Sequence, residues 1–187
     1  MTIDELLKDY REVFALSDVE KGEHFERLMK NFLLTYPVWR GKISDVWRWK
    51  DFPFRDELGG KDLGIDLVAK TFDEKFWAVQ CKFYAESTTV AKPAVDSFFS
   101  NATRTFDGDK TFSEFVWICT TDRYTDNARE MFKNRTPEVK IVDMETLRRA
   151  QVNWTLLNNG FVREEAINVR KLRDYQLTAV EKAREHF

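Results

Sequence analysis

The chain has little of what most metal and nucleophile sites are made from. It holds 2 His and 2 Cys among 187 residues, which excludes a histidine-rich metal centre and leaves no convincing catalytic triad. Cys81 and Cys119 lie inside apolar, strand-like runs, where free cysteine behaves as a small hydrophobe rather than half of a disulfide or zinc pair. No apolar run approaches the roughly 20 residues of a membrane-spanning helix. The acidic start MTIDELLKDY is neither a signal nor a transit peptide, so no membrane partner and a cytoplasmic location are expected. Positive charge is not in excess either: 30 Lys and Arg against 32 Asp and Glu leave −2. That balance counts against strong standalone binding to nucleic acid, whose nonspecific affinity comes mostly from neutralised phosphates. Gly59-Gly60-Lys61 lacks the upstream glycine and the following Ser or Thr of a nucleotide-binding loop, which rules that motif out.

What is present suits one ordinary domain with an appendage. A 43% apolar content with 16 Phe can fill a core, and a chain of this size buries roughly 70% of its unfolded surface. The most informative stretch is residues 59 to 83, GGKDLGIDLVAKTFDEKFWAVQCKF: a glycine-punctuated acidic turn, a strand, a short polar turn and a second strand. In residues 76 to 83, alternation places Trp77, Val79, Cys81 and Phe83 on an apolar face. Ala78, Gln80 and Lys82 take the other, the last two about 7 Å apart. In residues 65 to 69, Asp66 and Val68 share one side. A hairpin closed across residues 71 to 75 lets the Asp66 side and the Gln80/Lys82 side coincide. Mg²⁺ takes hard oxygen ligands and keeps several waters, so Asp66, the Gln80 amide and the Cys81 backbone carbonyl are candidate ligands beside a phosphate. Lys82 would orient or deprotonate a water and stabilise charge on that phosphate. The same residues equally suit the solvated edge of a plain hairpin.

The pattern GGxDxGxD followed one hairpin later by QxK, carried here from Gly59 to Lys82, resembles the Mrr-like branch of the PD-(D/E)xK restriction-endonuclease fold. The resemblance implies an α/β fold with a restriction-endonuclease-like mixed central β-sheet flanked by helices. It also implies a Mg²⁺-dependent DNA endonuclease, with Mn²⁺ as a substitute ion and double-stranded DNA as substrate. That branch often carries Gln where the wider superfamily has an acid, which removes one charge at Gln80. The segment Gly22-Glu23-His24-Phe25-Glu26-Arg27-Leu28 resembles the GxxFExL element that precedes the hairpin, and by that likeness Glu26 reaches the metal centre and compensates. Read alone, Glu26 is a surface carboxylate beside an apolar stripe. Asp62 ranks below Asp66, as an alternate ligand or a turn cap. The run FVWICTTDRYTDNA resembles the strand, Thr-Thr, helix continuation of such domains, which implies that the hydroxyls of Thr120 and Thr121 face a phosphate backbone.

Taken in order, Thr2-x-x-Glu5 and Ser17-x-x-Glu20 are capping boxes that open helices over residues 2 to 15 and 17 to 36, the second ended by Pro37. In VWRGKISDVWRWKDFPFRDE, aromatics alternate with cations. Trp47, Arg48 and Lys50 are candidate DNA contacts by stacking and phosphate pairing, although a Trp-rich turn packed beside the site explains the same pattern. Helices are expected over residues 93 to 105, 126 to 134 and 144 to 150, with strands over 115 to 119 and 139 to 142. The domain then spans residues 1 to 150, and residues 151 to 170 read as a polar connector. Leu172 to Val180, LRDYQLTAV, resembles the opening of superfamily 2 helicase motors, in which the Gln reads adenine; carried over, that is Gln176. Residues 151 to 187 would then be a connector and the first helix of a truncated motor, with ATP used only by its missing remainder. A nuclease ahead of a motor is similar to the single-polypeptide type I (type ISP) restriction-modification enzymes. Their helicase, methyltransferase and target-recognition domains would be partners within one polypeptide, and a second nuclease copy would be needed for a double-strand break. Two other readings stand beside this one: a noncatalytic DNA-binding or docking module on the same fold, and a junction-resolvase-like nuclease.

Overall fold

The computed structural model of the chain describes residues 1–13, 16–60, 64–133 and 135–166. Both capping boxes form. Thr2 and Glu5 exchange hydrogen bonds at the start of α1 (Ile3–Lys8), as Ser17 and Glu20 do at α2 (Asp18–Thr35), satisfying N–H groups that have no partner within the helix. After α1 the chain widens into a π-helical turn, Asp9–Val13. α2 stops where Pro37 forbids helical backbone at Tyr36, whose ψ is 120°.

Five strands build one sheet in the order β1-β2-β3-β4-β5. They are β1 (Ile43–Arg48), β2 (Leu67–Thr71), β3 (Phe76–Lys82), β4 (Phe112–Cys119) and β5 (Val139–Val142). The first three are antiparallel neighbours, and β3-β4 and β4-β5 are parallel, which makes the sheet mixed as expected. The parallel pairs are linked through α3 (Lys92–Ala102) and α4 (Asp126–Phe132), because parallel strands need a crossover. α5 (Met144–Arg149) and α6 (Trp154–Asn158) follow β5.

The sheet is buried on both faces. Leu67, Ala69, Trp77, Val79, Val116 and Ile118 pack with Phe25, Leu28, Met29 and Phe32 of α2 and with residues of α1, α5 and α6. Val68, Ala78, Phe115 and Trp117 pack with Val95, Phe98 and Phe99 of α3 and with a cluster of aromatic side chains that includes Phe52, Phe76, Phe106 and Phe112. The Gln80 side of β3 is therefore a covered face, and Gln80 is 1% exposed. This disposes of the solvated-edge alternative.

Two segments differ from expectation. Within the Trp-rich stretch read as a turn, Ile43–Arg48 is an edge strand paired to β2, with Ile43 and Val46 buried. Trp39 and Trp49 are buried as well, so their rings serve packing. Residues 151 to 166, read as part of a polar connector, also belong to the core. Val152, Trp154, Leu157 and Ala166 are buried, Trp154 stacks on Phe32 at 5.5 Å, and Asn31 donates to the Leu157 carbonyl. Few apolar residues are needed there because α2 supplies the other half of the interface.

Candidate active site

The site begins where β2 leaves β3. The ladder pairs Leu67 with Val79 and Val68 with Ala78. One residue earlier it breaks, because the Asp66 N–H also bonds to the Val79 carbonyl (2.9 Å). The Cys81 N–H, which a continuing ladder would pair with backbone, is taken by the Asp66 carboxylate at 2.6 Å. On the other side the Asp66 carbonyl accepts from Trp49 N–H (2.8 Å). Asp66 is thus held at three points, and simple alternation no longer decides which way its side chain turns. N–H and C=O of one strand residue point to the same side, so the Cys81 carbonyl faces the same gap. Gly64, at φ +69°, leads the chain into this bend in a conformation that side chains disfavour.

An open cleft of about 220 Å³ lies there, lined by Glu26, Arg48, Trp49, Lys50, Arg55, Ile65 and Asp66. α2 delivers Glu26 one residue after buried Phe25, and the end of β1 delivers Arg48. The Arg48 guanidinium pairs with Glu26 at 3.3 Å and with Glu23 at 3.5 Å. Burial, and next the negative charge of Asp66, push the Glu26 carboxyl up to about 7 although Arg48 pulls it down. Two carboxylates therefore share a half-buried cleft in which one resists ionisation. That is the electrostatic condition a bound cation relieves.

Gln80 does not line the cleft. Its amide sits against Gly64: a β-carbon built there would stand 3.5 Å from Gln80 Nε2 and 3.6 Å from Gln80 Oε1. Its Oε1 is buried with no hydrogen-bond partner, a condition that costs free energy unless something else meets that oxygen. Lys82 is half-buried at the end of β3, in register with Cys119, and is likewise absent from the cleft lining. Burial pushes the Cys81 thiol well up, so its part at the gap is played by backbone. Among the described residues no group of three His, Cys, Asp or Glu side chains converges. The oxygens at the cleft are two carboxylates and a strand carbonyl, with the unpartnered Gln80 amide oxygen buried near Gly64. These are the donor type that Mg²⁺ or Mn²⁺ takes, so the residues fit a hard divalent ion in kind.

The other sequence-derived candidates divide. Arg48 and Lys50 line the cleft, while Trp47 is half-buried and packs near Phe52. Thr120 and Thr121 are buried, and their hydroxyls hold the loop after β3 instead of facing outward. Thr120 Oγ1 accepts from Tyr84 N–H (2.7 Å) and donates to the Tyr84 carbonyl (2.8 Å), and Thr121 donates to the Thr88 carbonyl (2.8 Å). Asp62 and Gln176 lie outside the described residues. Sequence reading missed Arg55, which reaches the cleft from a turn. Its signal in the sequence is the alternation of aromatics and charges through residues 47 to 55, which runs one cation beyond Lys50.

A restriction endonuclease family model matches residues 34–163. No curated protein matches the chain significantly. Among solved structures, an ATP-dependent Type ISP restriction-modification enzyme, LlaBIII, bound to DNA, is similar to it. The identity is 28% and the TM-score 0.68, over 100% of this chain and 11% of that one. No described helix is long and apolar enough to cross a membrane.

Proposed function

Because the chain belongs to the Mrr-type restriction endonuclease family, we propose that its cleft is the site of a Mg²⁺-dependent endodeoxyribonuclease that hydrolyses phosphodiester bonds of double-stranded DNA. The observation that carries this reading is the meeting of Glu26 and Asp66 in one cationic cleft beside the Cys81 backbone. Glu26, Asp66, the Gln80 amide and the Cys81 carbonyl would hold the ion, Asp62 being the lower-ranked candidate. The bound ion supplies Lewis acidity toward a phosphate oxygen and an acidified water. Asp66, fixed by the Cys81 N–H, keeps its carboxylate aimed at the gap before anything binds. Arg48 neutralises Glu26 while the cleft is open to water. Lys82 orients the attacking water or takes its proton, and its charge offsets that building on the phosphate. Lys50, exposed at the cleft, and the half-buried Trp47 beside Phe52 contact the duplex without reading sequence.

The solved relative extends far beyond the length this chain covers, and we read the chain as the nuclease part of a similar cytoplasmic, ATP-driven restriction-modification polypeptide. The nuclease part would take up residues 1 to 150 together with the packed segment to residue 166. The LRDYQLTA segment with Gln176 would open the motor, which alone uses ATP, and methyltransferase and target-recognition parts would follow. One centre cuts one strand, so a second copy completes a double-strand break. The absence of a three-carboxylate cluster among the described residues favours one competing reading, a noncatalytic DNA-binding module.

Supercoiled plasmid with Mg²⁺ separates the two readings. The intact chain is expected to nick, and Asp66→Ala and Lys82→Ala are expected to lose nicking while melting as the parent does. Undiminished cleavage by both variants rejects this site. A parent that binds duplex yet never nicks with Mg²⁺ or Mn²⁺ establishes the binding module.

A further inference from the structure

We propose that Arg55 is the residue through which the cleft grips a DNA phosphate. The proposal rests on the nuclease reading for its substrate and on separate observations for its residue. Glu26 and Asp66 repel a phosphate that enters beside them, so the cleft needs a cation whose charge is not already matched. Arg48 does not meet that need, being 9% exposed and paired to two carboxylates, and Lys50, exposed at the same cleft, offers a point charge without a planar fork. Arg55 lines the same cleft, and among the described residues it has no ion pair and no side-chain hydrogen bond. Its Nε is buried without an acceptor.

A desolvated guanidinium N–H with nothing to donate to is unfavourable. A planar fork of N–H donors matches two phosphate oxygens at once. The backbone of Arg55 is set in advance of any ligand. Its N–H donates to the Phe52 carbonyl (3.1 Å), and its carbonyl accepts from Leu58 N–H (3.2 Å) and Gly60 N–H (3.0 Å). Phe52 and Leu58 are buried in the second core, and the Arg104 guanidinium donates to the Leu58 carbonyl (3.2 Å). Little ordering of the chain is then left to oppose binding. A phosphate contact of this kind carries no base information, so it would act alike on every sequence brought to the cleft.

The test uses the intact chain and a labelled duplex, with binding followed across NaCl concentration in EDTA, and nicking in Mg²⁺. Arg55→Ala is expected to weaken binding about tenfold and to lower the slope of log affinity against log salt by about 1. Arg55→Lys is expected to restore the slope while recovering only part of the affinity, because the point charge survives and the fork does not. Melting curves check that both variants fold, and Arg55→Lys stands in should the alanine variant fail to fold. An unchanged slope in folded Arg55→Ala rejects the phosphate contact and leaves the nuclease reading intact. A lowered slope in Arg55→Ala, set against a parent that binds duplex yet never nicks with Mg²⁺ or Mn²⁺, keeps the contact and rejects the nuclease reading. A parent chain that neither binds nor nicks duplex overturns both.

Discussion

Glu26→Gln probes the electrostatic heart of the cleft. In the folded chain the Glu26 carboxyl titrates near 7 against an ordinary 4.5, with burial the largest cause and the Asp66 charge the next. A carboxyl whose folded value is raised weakens the fold as pH rises. The penalty is absent below 4.5, grows as pH climbs towards 7 and is fully present above it. Such a displacement would amount to about 3 kcal/mol in a dry site. The side chain keeps 24% exposure at an open cleft, so solvent screening brings the expected penalty to about 1–2 kcal/mol. Glutamine keeps the shape and a hydrogen bond to Arg48 but cannot ionise. In urea denaturation with EDTA, the stability of the Gln variant relative to the parent is expected to rise by that amount between pH 4.5 and pH 8.5. Adding Mg²⁺ at pH 8.5 is expected to narrow the gap by stabilising the parent. A difference between the two proteins that stays constant with pH would refute the account of Glu26 and Asp66 as mutually destabilising neighbours.

Three further outcomes follow from the packing. Gln80→Met removes a buried, unpartnered acceptor, so thermal or urea unfolding should show unchanged stability or a gain of about 1 kcal/mol, while Mg²⁺-dependent nicking is lost; a clear loss of stability would mean that the amide is satisfied in the fold. Thr120→Val deprives the Tyr84 N–H and carbonyl of their shared partner and should cost about 2 kcal/mol, measured by urea unfolding, whereas a hydroxyl that served only DNA would leave stability unmoved. Trp154→Ala should cost about 3–5 kcal/mol in the same assay, because the indole stacks on Phe32 in the first core. A surface connector would give a change near zero.

Much of the fold is legible from local pattern, because capping, periodicity and turn chemistry act within a few residues. Thr2/Glu5 and Ser17/Glu20 start their helices as their spacing demands, Thr125 caps α4, and the run from Phe76 to Lys82 is a strand hydrogen-bonded to its hairpin partner. Glu26 became a candidate only through likeness to a family, since one glutamate beside an apolar stripe has no local signature. β1 has no clear local signature because its apolar positions, Ile43 and Val46, are few and its pairing lies on β2, which is reached only through the intervening turns between Arg48 and Leu67. Residues 151 to 166 lack one for a related reason: what buries Trp154 is Phe32 on α2.

The amino-acid order by itself therefore determined where helices and strands begin, which of their faces are apolar, and that an acid, an amide and a lysine crowd one hairpin. Tertiary structure alone decided how those polar groups divide. The broken ladder at Asp66 turns its carboxylate onto the Cys81 N–H, α2 brings Glu26 to it, and a distant turn adds Arg55. Gln80 is buried instead, its amide against Gly64. The reason is that alternation along a strand holds only while the ladder is regular, and charges that meet across a cleft are neighbours in space through packing that no local spacing encodes.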